Sequence, residues 1–261
     1  MCFNIDAACG SHIGKVRLNN LDNFLFDGKC MRLEDDREAR AFRCSIKTSS
    51  PSCFAVFDGM GGGENGVSAA YIAAKTLMVS RPFNKNPRQF LKDTCKSMQK
   101  AVCLESIRIG NHRMGTTAAI LFPYMDKLYI CNIGDSKVFL IRKGKIKQLS
   151  CDHVYRLPER ASVKRHKPVL SQYLGIFEDE ALIQPYLVEE NCMQGDIIVL
   201  CTDGITNMVS DMDILEYINM DNCVDSCVEK LINKALINGG KDNITLIVAS
   251  VGESIGGQKY V

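Results

Sequence analysis

No apolar run in this chain approaches the roughly twenty residues a membrane helix needs, so no spanning segment and no membrane partner are expected. The N-terminus, Met-Cys-Phe-Asn-Ile-Asp, has no basic stretch leading into an apolar one, and the expected location is the cytoplasm. Neither sign of charge is in excess. Lys and Arg number 32 against 30 Asp and Glu, a formal net charge of +2, which gives no polyanion-binding surface and argues against nucleic acid as a partner. The 13 cysteines contain no C-x-x-C pair, and most sit in apolar segments such as Ile130-Cys131 and Leu200-Cys201. They read as buried free thiols, not as a zinc site or a disulfide framework. The four histidines, His12, His112, His153 and His166, lack ligand spacing. No internal repeat or linker divides the chain.

What the 261 residues do have is 46% hydrophobic and 24% charged content, enough to bury a large core. One α+β domain over residues 1–251 is expected, followed by a loose tail at 252–261. Short strands are expected at Phe3–Cys9, Asn23–Phe26, Phe42–Ile46 and Cys53–Phe57, with a polar turn at Glu34–Glu38. Helices should follow at Val67–Val79 and Pro87–Arg108, the second with Leu91, Cys95, Met98 and Val102 on one face. Strands at 116–122, 127–133, 136–141 and 146–149, joined by short turns, read as an antiparallel meander. Residues 151–180 form a polar excursion ending in a short helix near Leu170–Leu174, and its Lys164-Arg-His-Lys167 cluster reads as a solvated face. Strands at 181–188 and 196–201, helices at 211–218 and 223–236, and a strand at Ile244–Val251 complete the order.

The segment that organises the chain is Cys53-Phe-Ala-Val-Phe57, then Asp58-Gly59-Met60-Gly61-Gly62-Gly63, then an Ala-rich stretch to Lys75. It reads as strand, turn, helix, with an acid at the strand's end. Gly61-Gly62-Gly63-Glu64-Asn65-Gly66 also fits G-x-G-x-x-G, so a dinucleotide-binding oxidoreductase is an alternative. It is disfavoured because the helix leads to another helix, where that fold needs a second strand ending in an acid.

Three further strands share the acid. Asn132-Ile-Gly134 leads into Asp135, Leu200-Cys-Thr202 leads into Asp203, and Asp242-Asn243 directly precedes Ile244. If these ends are neighbours, four carboxylates meet at one rim, where mutual repulsion calls for a cation. Hard oxygen ligands suit Mg²⁺ or Mn²⁺, and Gly59 can add a backbone carbonyl. Two such ions activate water for displacement at phosphorus.

With these residues in view, the chain resembles the metal-dependent type 2C Ser/Thr protein phosphatase family, in particular its compact bacterial-type members. The matching segments are Arg17–Asn23, Phe54-Ala-Val-Phe-Asp-Gly-Met-Gly-Gly62, Gly115-Thr-Thr117, Asn132-Ile-Gly-Asp-Ser136, Leu200-Cys-Thr-Asp-Gly204 and Gly240-Lys-Asp-Asn243. They occur in family order across nearly the whole chain. The resemblance implies a four-layer sandwich of two packed antiparallel β-sheets flanked by helix pairs. It implies hydrolysis of phosphoserine and phosphothreonine in proteins by a water or hydroxide bridging two Mn²⁺ or Mg²⁺ ions, with a third ion in bacterial relatives. Asp58 would bridge the two metals with Gly59 contributing its carbonyl, Asp203 and Asp242 would complete the first, and Asp135 with Asp203 would hold the third. Arg17 would grip the substrate phosphate and Asp22 would orient the water. Residues 151–180 would be the family's variable flap. Expected partners are phosphorylated proteins, the substrates of a Ser/Thr kinase and the kinase itself, acted on by a monomer.

Three positions depart from the family pattern. Leu21 stands where many relatives have an acid or Gln before Asp22, Lys137 replaces the Arg usual after Gly-Asp-Ser, and Met60 stands where eukaryotic members place a His. Leu21 motivates a second alternative, a catalytically weak or inactive phosphoprotein-binding regulator of the same fold.

Overall fold

In the computed structural model, which describes residues 1–35, 39–50, 52–81, 86–155, 169–221 and 223–255, the apolar runs collect into two large sheets. One has six strands in the order β10 (Lys145–Gln148), β9 (Lys137–Arg142), β12 (Ile197–Cys201), β13 (Ile244–Ile255), β1 (Cys2–His12) and β3 (Ala39–Lys47). The other has five, in the order β11 (Tyr186–Asn191), β8 (Lys127–Ile133), β7 (Ala118–Tyr124), β4 (Phe54–Phe57) and β2 (Asn23–Leu25). A short ribbon pairs β5 (Gly59–Met60) with β6 (Gly115–Thr116). The neighbours in both sheets run antiparallel.

The sheets face each other across a core that includes Ile5, Phe24, Phe54, Leu121, Leu140 and Ile247. Helices α1 (Gly63–Val79) and α2 (Pro87–Ile109) cover the five-stranded sheet, and α4 (Asp211–Asn219) and α5 (Val224–Ile237) cover the six-stranded one, with the short α3 (Asp203–Thr206) directly after β12. This is the four-layer α+β sandwich that the family resemblance implies. In α1, Ala69, Ala70, Ala73, Ala74 and Leu77 are buried. Alanine has the lowest helical cost, and its small side chain lets the helix lie close on the sheet. At the start of α2 the Asn86 side chain accepts a hydrogen bond from Arg88 N–H with Pro87 next to it, and Gly110 ends the helix in the left-handed region at φ 68.

The structure corrects the sequence reading in four places. The strands between 115 and 149 are not one meander: β7 and β8 belong to the five-stranded sheet and β9 and β10 to the six-stranded one, so Gly134–Ser136 carries the chain across the sandwich. Periodicity alone does not say which sheet a strand joins. No helix forms at Leu170–Leu174; Leu170 bridges to Val154 and Leu174 to Thr116 as isolated β pairs. The strand expected at 181–188 begins only at Tyr186, and β13 runs four residues beyond Val251. The Lys164-Arg-His-Lys167 cluster, the end of the Glu34–Glu38 turn and residues 256–261 lie outside the described residues. The dinucleotide alternative also fails, because β4 and β7, the strands on either side of α1 and α2, pair antiparallel where that fold requires parallel strands.

Candidate active site at the rim of the two sheets

Strand register brings the acids together. Phe57 at the end of β4 pairs with Asn23 at the start of β2, so Asp58 and Asp22 leave the five-stranded sheet at one level. In the other sheet, Cys201 at the end of β12 pairs with Leu246 of β13 and with Lys137 of β9. Continuing that antiparallel register puts Asp203 level with Asp135 on one side and with Ile244, just after Asp242, on the other. Two contacts then join the sheets at this rim. Thr202 Oγ1 donates to Asp22 Oδ2 at 2.8 Å, and the Thr117 and Ser136 hydroxyls lie 2.6 Å apart.

Asp22 is 1% exposed. Burial, and secondarily the charges of Asp203 and Asp242, raise its pKa to about 7 against the opposing hydrogen bonds from Thr245 and Thr202. Above it, Arg17 Nε and Nη2 each donate to one oxygen of Asp242 at 2.8 Å. The hydrogen bond to Asp242 is the main reason the guanidinium pKa is raised, and the charges of Asp58 and Asp203 reach it as well. One cation thus feels three of the acids. It is half exposed and sits on an ion pair, with no anion from outside required to hold it there.

Backbone contacts fix these loops. Asn243 Nδ2 donates to Ile13 O at 2.8 Å and Asn19 O at 2.9 Å, while Leu21 N donates to Asn243 Oδ1 at 2.9 Å, so the loop carrying Arg17 is tied to the residue after Asp242. Thr116 Oγ1 and Thr117 N each donate to Asp58 O at 2.9 Å, and Asp58 N donates to Thr117 Oγ1 at 3.0 Å. A Cβ on Gly59 would come within 2.2 Å of Gly66 O and 2.5 Å of Leu21 O. Only glycine fits where the Asp58 turn, the Leu21 loop and the start of α1 converge. Leu21, the departure from the family pattern, packs toward Gly66: its Cδ1 lies 3.0 Å from where a Cβ there would be.

Asp135 is 9% exposed, in the turn that crosses the sandwich. The neighbouring Gly134 donates its N–H to His153 Nδ1 at 3.1 Å and accepts from His153 N at 3.0 Å. Lys137 donates to Asp152 at 2.8 Å and to Gln148 at 3.3 Å, so its charge is spent on the 148–152 segment. Sequence reasoning missed His153, Asn243 and Thr202 as supports for the site. Asn243 and Thr202 lay inside motifs already quoted, but their partners are distant in sequence.

The donor set suits a hard cation: carboxylates from Asp58, Asp203, Asp242 and Asp135 plus the Gly59 carbonyl, with no thiolate or imidazole among them. Among the described residues, no three His, Cys, Asp or Glu side chains close into a cage around one point. The strand register brings the acids level, and both Asp242 oxygens accept from Arg17. The donors fit Mn²⁺ or Mg²⁺ in kind, and the guanidinium holds the place of a cation at Asp242.

A family model described as protein phosphatase 2C matches residues 26–173, more than half of the chain. A serine/threonine phosphatase named stp from Listeria monocytogenes is 27% identical over 209 residues, covering 74% of this chain and 82% of that protein. The protein phosphatase PhpP of Streptococcus pneumoniae is 34% identical over 149 residues, 54% of this chain and 59% of its own length. Among solved structures, the catalytic domain of the Mycobacterium tuberculosis phosphatase PstP in complex with two manganese ions matches with a TM-score of 0.75 at 25% identity, over 96% of this chain and 100% of that one. PppA of Pseudomonas aeruginosa, described as a regulatory component of its T6SS, shares the fold with a TM-score of 0.77 at 22% identity, again over 96% of this chain and 100% of that one.

Proposed function

The chain belongs to the protein phosphatase 2C family, and from that premise we propose that it hydrolyses phosphoserine and phosphothreonine in proteins at the rim described above. The observation that carries this reading is the meeting of Asp22, Asp58, Asp203, Asp242 and Arg17 at one end of both sheets. Asp58, with the Gly59 carbonyl, would bridge two Mn²⁺ or Mg²⁺ ions, Asp203 and Asp242 would complete the first, and Asp135 with Asp203 would hold a third. Such ions, when bound, would supply a water of lowered pKa and neutralise charge on the phosphoryl oxygens.

The remaining work falls to the chain's own groups. Arg17 would exchange Asp242 for the substrate phosphate, two of whose oxygens can accept from its planar fork of donors. Asp22, buried and held by Thr202, would orient water from below. Met60 carries no proton to give, so no side chain at that position protonates the leaving group. Partners on this reading are phosphorylated proteins, the substrates of a Ser/Thr kinase together with the kinase, met in the cytoplasm by a monomer.

The weaker-enzyme alternative rests on Leu21, whose side chain packs on Gly66 and offers no polar atom to the site. One assay tests both: hydrolysis of p-nitrophenyl phosphate and of a phosphothreonine peptide with Mn²⁺, with and without chelator. Chelator-sensitive turnover supports the phosphatase, phosphopeptide binding without turnover supports the regulator, and absence of both sinks the reading.

A further inference from the structure

Away from the rim, a groove of about 990 Å³ runs between α2 and the segment from Phe177 to Pro185. Its floor and its charge are graded along the helix. Lys92, Lys96 and Lys100 recur at four-residue spacing and form one exposed stripe on the first part of α2. The same face then turns apolar at Leu104 and Ile107, 56% and 58% exposed, opposite Leu182 at 67%. No ion pair engages the three lysines among the described residues. On the other wall lie Glu178 and Asp179, and Glu178 is close enough to Cys103 to raise its pKa, although burial of the thiol raises it more.

Hydrogen bonds tie the two walls of the groove together. Gln99 Oε1 accepts from Gly175 N at 2.8 Å and Gln99 Nε2 donates to Ile176 O, which pins the start of the far wall to α2. The Phe177 ring lies 5.0 Å from that of His112, just beyond the helix.

We propose that this groove docks a helical peptide segment of a partner protein, acidic in one half and apolar in the other, along α2. Charge complementarity selects that occupant. The three lysines span about 12 Å along the helix axis, and the spacing from Lys92 to Ile107 is about 22 Å, some four helical turns. One carboxylate head group cannot reach three such charges, whereas acids at i, i+4 and i+8 of a facing helix can. Glu178 and Asp179 oppose a ligand that is acidic throughout, so the negative charge has to stop before the apolar half. Leu104, Ile107 and Leu182 then cover the apolar anchors. The groove is distinct from the rim, and its occupancy does not depend on the phosphatase reading.

The test is fluorescence anisotropy on the chelated full chain with a fluorescein-labelled helical peptide. The peptide has glutamates at i, i+4 and i+8 in one half and leucine and phenylalanine in the other. Micromolar binding is expected, weakened tenfold or more by Lys92→Glu with Lys96→Glu and Lys100→Glu, and severalfold by Leu104→Ser. These side chains are exposed, and the single Lys96→Gln variant, expected to weaken binding at least twofold, guards against a folding defect in the triple variant. Absence of binding, indifference to all these substitutions, or equal affinity for an all-glutamate helix would overturn the proposal. Lysine-dependent binding to phosphatidylglycerol vesicles in preference to the peptide would overturn it in favour of a lipid surface.

Discussion

Arg17 and Asp242, 225 residues apart in the chain, are joined by two parallel N–H···O bonds of 2.8 Å each. If Asp242 is a metal ligand, Arg17 occupies its oxygens when the ion is absent, competes with the ion for them, and is freed toward substrate when the ion binds. The pair is 51% and 21% exposed, so its worth is limited to about 1 kcal/mol or less. Arg17→Ala should therefore tighten Mn²⁺ binding by a factor of roughly five at most. It should also raise KM and lower kcat/KM for phosphate esters. Calorimetric Mn²⁺ titration and steady-state kinetics check both, and weaker Mn²⁺ binding in the variant would refute the competition.

Asp58 stands level with Asp22 at the end of β4, and its backbone is held by three hydrogen bonds from and to Thr116 and Thr117 that a side-chain change leaves intact. Asp58→Asn keeps the shape and removes the charge. Mn²⁺ stoichiometry should fall and turnover should drop by at least a thousandfold, with the thermal midpoint little changed. Substantial Mn²⁺-dependent turnover in the purified variant would remove Asp58 from the metal centre.

Asp135 differs because its turn is also structural: His153 holds Gly134 from two sides. Asp135→Ala should leave those bonds in place. The expected result is near-normal melting, two tight Mn²⁺ ions, and lost turnover on phosphopeptides at moderate Mn²⁺. A lowered melting temperature with normal turnover per folded molecule would make Asp135 a turn carboxylate only.

Gly204 tests how closely the turn after β12 packs on the residues before β13. A Cβ at Gly204 would fall 1.8 Å from Asn243 O, a backbone atom that cannot swing away. Gly204→Ala should force β13 and the α3 turn apart, at a cost of about 1–3 kcal/mol or more. Denaturant unfolding measures this, and Mn²⁺ affinity should fall with it because Asp203 and Asp242 flank the contact. An unchanged unfolding midpoint would contradict the packing.

The acids were legible in the sequence because Asp58, Asp135 and Asp203 follow an apolar run and Asp242 precedes one, and an apolar run is what a buried strand requires. Asp58, Asp135, Asp203 and Asp242 needed no long-range information to be singled out; their convergence did. Which sheet β9 joins, and hence that Asp135 comes level with Asp203, depends on pairing with β12 some sixty residues later. The bond from Thr202 to Asp22 spans 180 residues and the one from Leu21 to Asn243 spans 222. Local pattern carries no signal for such contacts. The helix expected near Leu170–Leu174 fails for the same reason, since Leu170 and Leu174 bridge to Val154 and Thr116, and Thr116 is distant in the chain.

Asp22 couples the site to stability through its proton. Its folded pKa of about 7 lies above the roughly 3.9 of an unfolded aspartate. Between those values the folded chain holds a proton there that the unfolded chain has released. The stability slope with pH is set by protons bound unfolded minus folded, so this group's term is negative across the window and close to zero outside it. Its contribution is present in full below about pH 4 and is lost as pH rises through about 7, a change on the order of a few kcal/mol. Asp22→Asn keeps an oxygen to accept from Thr202 but cannot titrate. In metal-free protein the variant should lose that decline, so the wild type falls behind it between pH 5 and pH 8. Saturating Mn²⁺ should shrink the difference, because cations beside Asp203 and Asp242 favour the ionised form. Urea midpoints at several pH values, with chelator and with Mn²⁺, give the comparison as a difference in which the other groups cancel. Parallel pH profiles for wild type and variant in chelator would show that Asp22 ionises normally, and its burial beneath the rim would then need another account.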